Sequence, residues 1–246
     1  MGAEPNSYSR RWFEFFHIGI GEVRTMQETA FVCRCAPLPD SRKVLDVCCG
    51  LGRHARALSN RGYSVIGIDR DSHAIAKARA LAGGPGYVNT DIRDYPPEPG
   101  AFDAAIVMSQ SFGYFHSTTN RDLLARLATG VREAGRVILD LWSQEFFAAH
   151  QGERELKARG RVIREAKHVE GDRLFVHLDY PDGGQDQFEW QLFSPNQMNS
   201  VAQSVGLRSL LACPDLDEAK PPSPTNPRVQ FLFERRGTSP ANISQS

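Results

Sequence analysis
Short apolar runs alternate with longer amphipathic stretches over the first half of this chain. Apolar runs fall at residues 44–48, 64–68, 86–89, 103–108 and 136–141, and helical periodicity at 53–61, 72–82 and 120–131. Strands that alternate with helices imply a parallel, doubly wound α/β sheet. Ser72 is placed to cap the helix that follows it, and Pro96, Pro97 and Pro99 mark a connector. Ahead of this block, residues 8–35 read as helical, with apolar positions at 12, 15, 16, 23, 26 and 30–32, ending before Pro37 and Pro39. Residues 1–7 read as unstructured.

Beyond Trp142 the period changes from helical to two. Residues 161–164, 173–180 and 187–192 alternate polar and apolar side chains, and Glu170-Gly171-Asp172 and Pro181-Asp182-Gly183-Gly184 separate them. This pattern predicts an antiparallel meander with one face in water. An amphipathic helix near 195–205 with Gly206 at its end, a strand near 207–212 and a last strand at 228–234 complete the chain. Residues 214–227, which hold five prolines, read as a surface loop. The expected division is therefore a helical N-terminal lid (1–40), a core (41–144 and 193–236), an inserted meander over the active site (145–192) and a disordered tail (237–246).

Composition narrows the possibilities. Arg and Lys number 29, Asp and Glu 29, so no global field draws the chain to nucleic acid or an anionic membrane. Five cysteines in no disulfide or zinc spacing read as small hydrophobes in a reducing compartment. The N-terminus has no apolar signal region and no stretch reaches membrane-spanning length, which together predict a cytoplasmic protein. No metal site is expected, and the oligomeric state is not legible.

The densest chemistry lies at the end of the first strand. Val44–Val47 runs into Cys48-Cys49-Gly50-Leu51-Gly52-Arg53, and Asp69 closes the second strand seventeen residues after Gly52. A tight turn that binds nothing also uses glycine this way. The placement after a strand and before a helix, with an acid about 20 residues on, favours a nucleotide site. Free N–H groups and the positive end of the helix dipole face such a ligand. Asp46, four residues before Gly50, would repel a pyrophosphate and attract an amine or a sulfonium. Arg53 offers a fork for a carboxylate. S-adenosylmethionine carries all of these groups.

Asp46-x-x-x-Gly50-x-Gly52-Arg53-His54-Ala55 followed by Gly67-Ile68-Asp69 resembles the first two motifs of the class I S-adenosylmethionine-dependent methyltransferases. The likeness continues through Asn89–Asp94, Phe102–Ser109 and Ala134–Asp140, and spans about residues 41–141. Gly52-Arg53-His54 and Ser111–Phe115 narrow it to the bacterial small-molecule type, similar to amino-sugar N-methyltransferases. The resemblance implies a seven-stranded Rossmann-like sheet. It also implies methyl transfer to N or O of a small-molecule acceptor. The implied cofactor residues are Trp12, Asp46, Gly50, Gly52, Arg53, Asp69, Arg70, Asp91, Ile92 and Ser109. Asp69 would hold the ribose, Asp91 the adenine amino group, and Ile92 would pack on the ring.

Each assignment has a plainer reading. Asp69 would serve equally as a helix cap, Asp91 and Asp94 as turn caps, and Arg53 as a solvated helix residue. Trp12, Phe15 and Phe16 form either a lid or ordinary core. Tyr114 and His116 follow the fourth strand, where open α/β sheets bind ligands. An aromatic there stabilises a sulfonium, and His116 is either the catalytic base or a loop histidine. In-line transfer would rest mainly on positioning and water exclusion. An NAD-dependent oxidoreductase and a non-catalytic cofactor-binding protein are the other readings open at this point. Whether the pocket beside Tyr114 is open separates the second of these.

Overall fold
The computed structural model describes residues 6, 9–17, 21–81, 83–158 and 160–237. The disordered tail expected at 237–246 lies outside this range except for Gly237, as do Tyr8 and residues 18–20 of the expected first helix. Helix α1 (Arg10–Trp12) continues as a π-helical turn over Phe13–His17, and α2 spans Glu22–Cys35. The long amphipathic pattern is thus divided.

The core follows as β1 (Lys43–Val47), α3 (Arg53–Ser59), β2 (Ser64–Asp69), α4 (Ser72–Ala80), β3 (Gly86–Asn89), β4 (Phe102–Val107), α5 (Ser117–Gly130) and β5 (Val131–Trp142). Helix α6 (Gln144–Ala149) leads into β6 (Gly152–Ala158), β7 (Arg161–Glu170), β8 (Arg173–Asp179) and β9 (Gln185–Gln191). Helix α7 (Pro195–Ser204), β10 (Leu207–Pro214) and β11 (Arg228–Arg235) close the chain.

The first sheet has seven strands in the order β10-β11-β5-β4-β1-β2-β3. β11 alone runs antiparallel to its neighbours, and β1 through β5 are parallel. The central strands read as continuous apolar runs because helices cover both faces. Leu45, Ile106, Ile138 and Leu139 are fully buried. The order reverses between β1 and β4, so the carboxyl ends of these two strands open a crevice.

The second sheet is an antiparallel meander, β6-β7-β8-β9. Its alternation is visible in β8, where Leu174, Val176 and Leu178 are buried and the residues between them are half-buried. The insertion leaves and re-enters the core at one place, since Ser143 and Phe193 form a parallel bridge.

Several expectations need correction. The cap of α4 is Asp71, whose Oδ1 accepts the N–H groups of His73 and Ala74, not Ser72. The meander gains a strand, β6, and a helix, α6, that period-two counting does not reveal. Asn6 falls in the segment read as unstructured, yet it is buried. Its N–H donates to Gln187 O at 3.2 Å, and its Oδ1 accepts the N–H of Glu189 at 2.8 Å. This works as a strand-like contact on the free edge of β9.

Candidate active site
A cavity of about 1070 Å³ lies between the carboxyl ends of the parallel strands and the second sheet. The turn after β1 forms its floor. Cys48, Gly50 and Gly52 have φ of 56°, 53° and 70°, a left-handed run that aims backbone N–H groups at one place. Asp46, Gly50 and Arg53 line the cavity, and so do Trp12, Asp69, Arg70, Asp91, Ile92, Ser109, Tyr114 and His116. Gly52 does not. It lies beneath the Tyr87 ring, and a Cβ there would stand 2.7 Å from ring carbons.

Two carboxylates flank the turn. Asp69 accepts the N–H of Gly50 on Oδ2 at 2.8 Å and that of Asp71 on Oδ1 at 2.9 Å, so it fixes the turn as well as facing the cavity. Burial raises its carboxyl above the ordinary range, against the pull of those two N–H groups. Asp46 is 1% exposed, with Oδ2 accepting the N–H of Ala55 at 3.1 Å. Burial pushes it up to about 6, although His54 and Arg53 draw it down.

Arg53 is less free than a carboxylate fork requires. Its Nη1 meets Glu28 Oε2 at 2.5 Å and Thr25 Oγ1 at 3.2 Å, and its Nη2 donates to Ser109 Oγ at 2.7 Å. Glu28, on α2, is 2% exposed and also holds His54 at 2.8 Å and Arg24 at 2.6 Å. His54 and Arg53 together hold its carboxyl well below the usual range despite burial. Sequence reasoning missed Glu28, because one acid on an amphipathic helix reads as solvated. Asp91 is gripped by its own neighbour: Arg93 donates from its N–H, Nε and Nη2 at 2.8–2.9 Å. This is the turn-capping role left open above, at a position that still faces the cavity.

The far wall begins with the loop after β4. Ser109 and Gln110 both have positive φ, 58° and 60°, a costly backbone held from below by Asp140. Asp140 Oδ2 accepts the Ser109 N–H at 3.1 Å, and its carbonyl accepts the Gln110 N–H at 2.9 Å. Asp140 is fully buried and paired with Arg228 and Gln230.

Further along, Gly113 (φ 101°) presses against Gln191 of β9, whose N–H donates to Gly113 O at 2.7 Å. Gln191 Oε1 also accepts from Asn120 at 2.8 Å, and Arg173 Nη1 donates to Phe115 O at 2.9 Å. The second sheet thereby fixes the loop that carries Tyr114 and His116. The Tyr114 ring lies 5.8 Å from that of Trp190. Trp12, Phe16, Trp142 and Phe188 bring further aromatic faces to the same cavity. Phe15 instead packs on Tyr180, with ring centroids 5.5 Å apart. The space beside Tyr114 is open, and no metal-ligating cluster occurs among the described residues.

Residues 44–135 match a family model described as a methyltransferase domain. The chain is 26% identical over 182 residues to dTDP-3-amino-3,6-dideoxy-alpha-D-glucopyranose N,N-dimethyltransferase of Streptomyces fradiae, covering 69% of this chain and 71% of that protein. Its fold is similar to the sugar N-methyltransferase KedS8 of a Streptoalloteichus species (TM-score 0.71, 20% identity, 96% of this chain and 97% of that one). It is also similar to the S-adenosylmethionine-bound amino pentose methyltransferase CalS10 of Micromonospora echinaspora (TM-score 0.69, 18% identity, 95% and 100% covered).

Proposed function
Because the chain is a class I S-adenosylmethionine-dependent methyltransferase, similar to the amino-sugar N-methyltransferases, we propose that it methylates an amine nitrogen of a small, sugar-like acceptor. The observation that carries this reading is the two-sided cavity. On the core side, Asp46, Gly50, Asp69, Asp91, Ile92 and Ser109 surround the space a nucleoside with an amino acid tail would fill. On the other side, Tyr114, Trp142, Phe188 and Trp190 would surround the acceptor, with Trp12 beside them over the cofactor. Ring faces favour cationic groups, first the sulfonium and then the alkylated nitrogen as charge moves onto it. With S-adenosylmethionine held there, a neutral acceptor amine would take the methyl carbon in line as the sulfur–methyl bond breaks, and would then shed a proton. His116, at the N-terminal end of α5, lines the cavity and takes that proton. Most of the rate comes from alignment and from water kept out by the second sheet.

The direct test is incubation with S-adenosylmethionine and dTDP-3-amino-3,6-dideoxyglucose, followed by mass spectrometry of the sugar. Its N-methylated form is the expected product. Cofactor turnover with hydroxylated acceptors and none with amines would overturn the amine assignment.

Asp69→Ala removes a charged acceptor and the brace on Gly50. The cofactor is expected to bind more weakly by about 1.5–3 kcal/mol, roughly ten- to a hundredfold. Calorimetry that finds unchanged affinity would place the ribose elsewhere.

Asp46 gives a pH signature. Its pKa is raised on folding, so its contribution to the stability of the empty protein is complete below about pH 4 and disappears as pH rises through 6. A cation beside it favours the ionised form, so below pH 6 the bound sulfonium expels the proton. Affinity for S-adenosylmethionine should therefore rise with pH through this range, more than affinity for the uncharged thioether S-adenosylhomocysteine. Calorimetry in buffers of different protonation enthalpy reads the released proton. Equal release by wild type and Asp46→Asn would remove Asp46 from this role.

A further inference from the structure
The wall that the second sheet gives to the cavity is largely apolar, broken by the half-buried pair Arg173–Glu189 and by one buried carboxylate. Val176, Leu178, Phe188 and Trp190 face it, and among them stands Glu165 of β7, directly opposite Leu178 and only 6% exposed. A carboxylate in such a wall costs several kcal/mol unless its charge is met. Lys167 meets it at 3.0 Å and Arg154 also binds it. The Lys167 ammonium is held in turn over the rings of Trp142 and Phe147, at 5.8 and 5.1 Å from their centroids. Both cations bind the same oxygen, Oε2. Oε1 has no partner among the described residues, on a side chain that lines the cavity.

A pair needed only for packing is no better than an aliphatic side chain at the same place. A carboxylate with one oxygen anchored and one free is suited to accept a hydrogen bond from whatever fills the cavity. We propose that Glu165 sets acceptor specificity, its Oε1 accepting a hydrogen bond from a hydroxyl of the acceptor beside the amine that receives the methyl. This rests on the amine reading given above. An acceptor without that hydroxyl would leave the oxygen buried and unpaired, which is how polar sites discriminate strongly. Lys167 and Arg154 are positioning residues that hold the carboxylate by its other oxygen.

Calorimetry on the enzyme loaded with S-adenosylhomocysteine tests this, with dTDP-3-amino-3,6-dideoxyglucose and its analogues lacking the 2- or the 4-hydroxyl as probes. The wild type is expected to bind the parent sugar at least ~10-fold more tightly than one analogue. In the double variant Glu165→Met/Lys167→Met, which leaves no charge buried in the wall, that preference should vanish while affinity for S-adenosylhomocysteine stays unchanged. Lys167→Met alone leaves Arg154 on Glu165 and should keep the preference. Glu165→Gln, which retains an acceptor oxygen in the same volume, should keep part of it and serves if the double variant does not fold. A preference that survives in the double variant, or is absent from the wild type, overturns the assignment and leaves the methyl-transfer reading intact. A wild type that binds none of the three sugars overturns the amino-sugar reading, and this inference with it.

Discussion

Replacing the fully buried Asp140 by alanine is expected to cost about 3–5 kcal/mol of stability, because it leaves the half-buried Arg228 guanidinium without its counter-charge. For a domain of this size that corresponds to a fall in Tm of about 6–20 °C. The loss is not only structural. Asp140 also accepts the Ser109 N–H, and Ser109 in turn takes a hydrogen bond from Arg53. The left-handed backbone at Ser109 and Gln110 is kept by that support, so cofactor affinity should fall along with Tm. The double variant Asp140→Ala/Arg228→Met removes both charges and should recover much of the stability, while the Ser109 N–H stays unpaired and affinity stays low. Calorimetric melting and cofactor titration of the two variants separate these effects. An unchanged Tm in Asp140→Ala would show that Arg228 finds another partner.

Gly52→Ala is the second large effect. At φ +70° an alanine pays about 1–2 kcal/mol for the left-handed backbone. The added methyl would also stand 2.7 Å from the carbons of the Tyr87 ring, overpacking that typically costs about 1–3 kcal/mol. The turn is held to Asp69 through Gly50, so the displacement passes into the proposed nucleoside site. Both Tm and cofactor affinity should fall, the latter by about tenfold or more. Gly21→Ala is the control, since nothing lies within 4 Å of its Cβ position and its φ is −65°. It should change little. Equal melting temperatures for the two variants would refute the packing account of Gly52.

The parallel core was legible because its periodicity and its turn chemistry agree. Central strands that are buried on both faces must be apolar throughout, and a turn that must expose N–H groups needs glycine. Gly50 and Gly52 share one motif but stand there for different reasons: Gly50 faces the cavity, as the motif suggests, whereas Gly52 makes room for Tyr87. Edge elements left no such trace. β6, Gly-Glu-Arg-Glu-Leu-Lys-Ala, is polar and exposed, so alternation carries no signal there. The residues that hold the site from behind were illegible for another reason. Glu28, Glu165 and Asn6 act through partners 26, 11 and 183 positions away in sequence, and spacing within one element says nothing about such pairs. Asp71 displaced Ser72 as cap because both are good cap residues, and only the backbone turn decides between neighbours.

The bridge between Ser143 and Phe193 has a consequence for how this molecule can change over time. A segment whose two ends already touch asks little of its host: lengthening it adds closure entropy only logarithmically. Strands β6 to β9 can therefore be extended, trimmed or rewritten without disturbing the order of the seven core strands. The proposed donor side, bound by the narrow demands of a left-handed turn and two acids, has no such liberty. Selection acting on this architecture would hold the methyl source constant while the recipient drifts, so a single fold can serve a succession of chemistries.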